Sequence, residues 1–278
     1  MMPGILHISD LHFGPHYQPH VGQALLEIAP RLKPDVVVAS GDFTQRAKPR
    51  QFAAARDYLA QLPRVPVVVV PGNHDIPLYR VHERLFSPYK LYRQHISADL
   101  DTVLTTHELA IAALNTTSPW RHVTEGRLHA WQIDLCAEFF QSAPAGLVKV
   151  VVVHHHFAPA PDYDSNDHAM AKARQALDRF DELGVELILG GHLHRAYIGN
   201  SLDVYPPRAR SEGIVIAQAG TCVSRRGRAR EREKNSFNWI EIRPDVLEVL
   251  HYMYFQDAGG FRPVGRHVFP RRSKRYLE

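Results

Sequence analysis

The chain has 278 residues, is 45% hydrophobic and carries a formal net charge of +4, which suits one large globular domain with a substantial core. Its apolar runs fall far short of the roughly 20 residues that a membrane span needs, and the first residues lack a charged segment followed by a cleavable apolar one, so a soluble, cytoplasmic protein is expected. Only Cys136 and Cys222 are present, which excludes a disulfide framework and a Cys-rich zinc site; any metal must be held by oxygen and nitrogen.

In chain order, residues 5–9 read as a buried strand, 21–32 as a helix, 36–39 as a strand, 51–62 as a helix and 67–70 as a strand. A βαβαβ start favours parallel pairing. The pattern predicts a helix over 78–96, a strand over 109–114, an amphipathic helix over 130–141 and a strand over 148–153. A helix over 169–183 then leads to a strand over 185–189. Strand-like stretches at 214–217, 237–242 and 246–254 close the chain, an ending that suits antiparallel pairing. No repeat or domain boundary is visible, so residues 1–278 read as one domain with a flexible basic tail from about 262. Positive charge gathers late, in Arg225, Arg226, Arg228, Arg230, Arg232 and Lys234, then in Arg271, Arg272, Lys274 and Arg275. Such clusters suit an anionic substrate or partner, or else a solvated loop and tail.

Every group of metal-capable residues falls where an apolar strand stops, the place where open α/β sheets bind ligands. The groups are Asp10 and His12, then Gly41-Asp42, then Gly72-Asn73-His74-Asp75, then His154-His155-His156, then Gly190-Gly191-His192-Leu193-His194. Singly, each residue could be a cap, a turn former or a core histidine. Five turns carrying such residues at the same relative place point instead to one cage. Histidine with carboxylate and no thiolate suits zinc, manganese, iron or cobalt better than calcium. About seven ligands exceed what one tetrahedral ion takes, and a carboxylate such as Asp42 can bridge two.

The order Asp-x-His, Gly-Asp, Gly-Asn-His-Asp, His-His, Gly-His-x-His resembles the calcineurin-like metallophosphoesterase family over residues 5–194, with a looser echo at Asn235-Ser236-Phe237-Asn238. The resemblance implies an α/β fold of α+β type, a four-layer αββα sandwich of two mixed β-sheets flanked by helices. It implies a binuclear metal centre of manganese, iron or zinc, in which Asp10, His12, Asp42 and His194 hold one ion and Asp42, Asn73, one histidine of the triplet and His192 hold the other. Neighbouring residues of a strand face opposite ways, so His155 cannot share a face with His154 and His156. The family's His-His-Pro motif has its first histidine as ligand; Phe157 stands where the proline would fall, which aligns the ligand with His155.

Such a centre implies a hydrolase that uses activated water and needs no protein nucleophile. By the same resemblance His74 is not a ligand; it can point at the leaving-group oxygen as general acid, with Asp75 orienting it or raising its pKa, or else only hydrogen-bond a ligand. Arg46 could clamp a phosphoryl oxygen, or pair with a surface carboxylate. Residues 159–168 would shape the pocket rim, and Trp120, Tyr163 or Tyr197 could stack on a base or simply pack. The family resemblance extends to bacterial class III cyclic nucleotide phosphodiesterases and generic phosphodiesterases. The basic clusters keep a nuclease, and hence nucleic acid, in view, a hydrolase of UDP-linked lipids is a third reading, and a non-catalytic interaction scaffold is the remaining one. The oligomeric state is left open.

Overall fold

The computed structural model describes residues 3–120, 124–158, 169–205, 213–228, 231–232 and 234–271. Twelve strands among them form two six-stranded sheets. The first contains β1 (Gly4–Ile8), β2 (Val36–Ala39), β3 (Val67–Val69), β10 (Ser236–Ile242), β11 (Val246–Phe255) and β12 (Gly260–Pro270), ordered β12-β11-β10-β1-β2-β3. The second contains β4 (Thr102–Thr105), β5 (Leu109–Ala113), β6 (Val148–Val152), β7 (Val185–Gly190), β8 (Tyr197–Asn200) and β9 (Val215–Gln218), ordered β4-β5-β6-β7-β9-β8. Strands β1 to β3 are parallel, as are β5, β6, β7 and β9; the remaining strands add antiparallel pairs.

Strand alternation sorts the apolar side chains into three cores. Ile5, Val36, Val38 and Val68 of the first sheet meet Ile111, Val150, Leu187 and Leu189 of the second in a core between the sheets. Leu6, Ile8, Val37 and Ala39 face the other way, against α1 (Pro19–Leu32) and α2 (Pro49–Leu59). Ala110, Ala112, Val151 and Val153 face α5 (Ala130–Ser142) and α6 (Ala173–Glu182). The result is the four-layer αββα sandwich of mixed sheets that the family motifs imply. Strands apolar on both faces are those that must be covered on both. No helix among the described residues is long and apolar enough to cross a membrane.

Three expectations need correction. The helix expected over 78–96 is two short ones, α3 (Val81–Phe86) and α4 (Lys90–His95), because Pro88 lacks an amide hydrogen and disfavours helical geometry at Ser87. The helix expected from 169 begins only at Ala173. The expected flexible tail from about 262 is, up to Pro270, the strand β12, which pairs with β11 along its length and buries Phe261. At its end Arg271 forms a two-pronged ion pair with Glu186 of β7. Arg272, Lys274 and Arg275 lie outside the described residues.

Candidate metal centre

The parallel strands β1, β2, β3, β6 and β7 all end at one edge of the sandwich, and the chain leaves each by a sharp turn. Of the eight described non-glycine residues with left-handed backbone, five are Asp10, His12, Asp42, His192 and His194. Such conformations cost on the order of 1–3 kcal/mol each and persist where surrounding structure imposes them. Two glycines make the crowding possible: a side chain at Gly72 would run into the Asp42 carboxylate, and one at Gly191 into Ser9 and Asp10.

Asp10, His12, Asp42 and His194 are all buried, and one donor atom from each lies within 4.8 Å of the others. His12 Nε2 and His194 Nε2 are 2.9 Å apart. His194 Nδ1 donates to the Arg226 carbonyl oxygen at 2.9 Å, which turns Nε2 toward the cage. Among the described residues Asp10 Oδ1 and Asp42 Oδ2 have no hydrogen-bond partner; imidazole nitrogens lie close by, with His194 Nε2 3.2 Å from Asp10 and His12 Nε2 3.5 Å from Asp42. Buried carboxylate oxygens and imidazole lone pairs converging on one point suit a cation.

A second group adjoins the first across Asp42. His154 Nε2 is 3.5 Å from Asp42 Oδ2 and 3.2 Å from Asn73 Oδ1, and His192 Nδ1 is 2.9 Å from the same Asn73 oxygen. His154 Nδ1 lies 2.7 Å from the Ser40 carbonyl oxygen, which fixes the ring with Nε2 toward the cage. Asp42 thus presents Oδ2 to both groups, while its Oδ1 accepts from the His74 amide at 2.7 Å.

Electrostatics match this shape. Burial, opposed in part by the carboxylates, lowers the pKa of His12 to about 3. Burial and the neighbouring histidines hold His192 well below its ordinary value, so both rings are neutral, the ligating form. Burial disfavours charge on His154 too, but the Asp42 carboxylate outweighs it and raises that pKa to about 9.

The structure turns His154 toward Asp42 and Asn73, and not His155. Val148, Val150 and Val152 face the core between the sheets; His154 continues their parity, and His155 falls on the other face. His155 Nδ1 lies 2.8 Å from Thr116 Oγ1 instead. His156 packs parallel to the His192 ring at 5.6 Å.

His74 sits where two cavities meet. One, of about 440 Å³, is lined by Asp42, Asn73, His192, His194 and Arg228 among others. The other, of about 420 Å³, runs past His74 to Arg46, Lys48 and Tyr79. His74 Nδ1 is bound to the Gln45 carbonyl oxygen at 2.9 Å, so that carbonyl, and not Asp75, orients the ring. The Asp75 carboxylate accepts from the amides of Phe43, Thr44 and Gly72 and from the Thr44 hydroxyl, tying together the turns after β2 and β3. Burial and the nearby Asp42 raise its pKa to about 7. The Arg46 guanidinium lies 4.8 Å over the exposed Tyr79 ring. Trp120 is exposed, Tyr197 lies within β8, and Tyr163 falls outside the described residues, as do residues 159–168 as a whole.

Arg226 is the functional candidate that residue-by-residue reading passes over. Its Nη1 is 3.1 Å from His74 Nε2 and 3.2 Å from Gln45 Oε1. The segment that carries it is pinned by Glu231, which accepts from the Ala196 amide and the Ser236 hydroxyl. Of the first basic cluster, Arg226 and Arg228 thus reach the site. Its visible signal was only the density of arginine in 225–234.

The family model of the calcineurin-like phosphoesterases matches residues 4–196, and the chain belongs to that family. A glycerophosphodiester phosphodiesterase, GpdQ, from Enterobacter lignolyticus is 34% identical over 83 residues, 26% of this chain and 29% of the relative. The match thus spans under a third of that relative. Among solved structures, a purple acid phosphatase from yellow lupin superposes with a TM-score of 0.70 at 11% identity, covering 98% of this chain and 54% of that one. A dimetal phosphatase from Danio rerio gives 0.62 at 14% identity, covering 96% and 98%. These likenesses are of fold.

Proposed function

We propose that the protein is a dinuclear metal-dependent phosphodiesterase, with Asp10, His12, Asp42 and His194 holding one ion and Asp42, Asn73, His154 and His192 the other. The observation that carries the proposal is Asp42 Oδ2, buried, without a hydrogen-bond partner among the described residues and 3.5 Å from an imidazole nitrogen of each group. Oxygen and nitrogen donors without thiolate suit manganese, iron or zinc. When bound, the ions supply Lewis acidity, lowering the pKa of water and neutralising charge on the phosphoryl oxygens. The diester class is favoured by the relative's name, a glycerophosphodiester phosphodiesterase.

The chain's own residues supply position and a proton. The Gln45 carbonyl fixes His74 with Nε2 at the junction of the cavities. Burial, opposed by Asp42, lowers the His74 pKa and Arg226 Nη1 donates to Nε2, so Nε2 must first take up a proton from solvent before it can pass one to the leaving oxygen as the P–O bond breaks. Arg226, beside the same atom, can swing its Nη1 to Gln45 Oε1 or to a phosphoryl oxygen when His74 is protonated. Asp75 holds the two turns that carry Asp42 and Asn73. A cytoplasmic location belongs to the same proposal.

The test is hydrolysis of bis-p-nitrophenyl phosphate with added manganese, alongside elemental analysis. Turnover lost on chelation and restored by metal is expected; no turnover together with no bound metal would overturn the reading and leave a binding scaffold.

A further inference from the structure

We infer that the groove beyond His74 is a leaving-group subsite that takes a planar, negatively charged group, the chemistry of a nucleotide. The inference rests on the proposed phosphodiesterase reading. The groove, of about 420 Å³, shares Asn73, His74 and Thr124 with the metal-lined cavity. A diester with its phosphorus at the cage must therefore send one substituent past His74 into it. His74 stands at the entrance.

The lining defines what fits. Ile76 and Leu78 give apolar floor, and Tyr79 is 70% exposed. The Arg46 guanidinium lies over the Tyr79 ring at 4.8 Å, which makes a flat cationic platform; bases stack on aromatic rings and on guanidinium planes. Lys48 and Arg80 add positive charge, and among the described residues the lining contains no carboxylate. Arg80 is largely engaged, bound to Glu83 and to the Ala47 carbonyl, which leaves Arg46 and Lys48 to meet an anion. A glycerol or choline leaving group would use neither the platform nor the charge.

The experiment compares kcat/KM of the metal-loaded enzyme for the dinucleotide ApAp and for glycerophosphoethanolamine, in wild type, Tyr79→Ala and Arg46→Ala. Calorimetric titration of AMP into the same proteins, metal-free, runs beside it. Stacking energies predict that each substitution lowers the ratio of the two kcat/KM values by about tenfold or more and weakens AMP by a similar factor. A ratio and an AMP affinity that stay within about twofold of wild type in both variants would overturn the subsite. An enzyme that hydrolyses neither diester and retains no metal contradicts the phosphodiesterase reading instead; the AMP titration still decides the groove.

Discussion

Asp42 and His154 are the residues on which the site turns. Replacing Asp42 with alanine removes the group shared by both halves of the cage; bound metal should fall to background and turnover by about a thousandfold or more, read by elemental analysis and initial rates. His154→Ala should lose roughly 10- to 100-fold in metal affinity or more, whereas His155→Ala, whose ring meets Thr116, should keep its metal. The reverse outcome would restore His155 as ligand. The triplet shows where sequence stops being legible: motif alignment pointed to His155, but face is decided by the parity of Val150 and Val152, which depends on where β6 begins. Aspartates, asparagine and the Gly-His-x-His histidines stood out as candidates because each follows the end of an apolar strand, with glycine just before Asp42, Asn73 and His192. Arg226 was not, because nothing local distinguishes it from its neighbours; only the fold brings it across 152 residues to His74.

At the scale of elements, buried apolar strands announced themselves even when as short as β2, β3 and β9, and half-exposed ones did not. Strands β4 and β8 are edge strands of four residues, and β12 exposes most of its side chains, so it reads as tail. The buried exception is Phe261. Phe261→Ala should cost about 3–5 kcal/mol in urea unfolding; a change under about 0.5 kcal/mol would mean that the segment is the loose tail its composition suggests. Another element-scale expectation concerns the β10–β11 pair, where His251 Nδ1 faces Asn238 Oδ1 at 3.1 Å and Nε2 lies 3.8 Å from Glu231. Burial, with His267 adding to it, lowers the His251 pKa from 6.5 to about 4. The unfolded chain binds this proton more readily, so the stabilising contribution is complete above pH 6.5 and is lost as pH falls from there toward 4. His251→Gln should flatten the fall of unfolding free energy over that window by up to about 1.4 kcal/mol per pH unit. An unchanged slope would show that the ring is not buried neutral.

For the whole molecule, two sheets with apolar inner faces place five strand ends at one edge, and the turns there carry residues that the fold alone would not choose. Left-handed backbone at five candidate ligands and buried carboxylate oxygens without hydrogen-bond partners are costs that a bound cation offsets. Binding to the folded state stabilises it by mass action, so metal removal should lower the melting temperature, and manganese should restore it. The most direct test of the central claim measures metal content and bis-p-nitrophenyl phosphate hydrolysis together on wild type and Asp42→Ala. About two ions per chain with turnover in the wild type, and loss of both in the variant, is the result predicted. An Asp42→Ala protein that stays folded, retains its metal and turns over at the wild-type rate would contradict it.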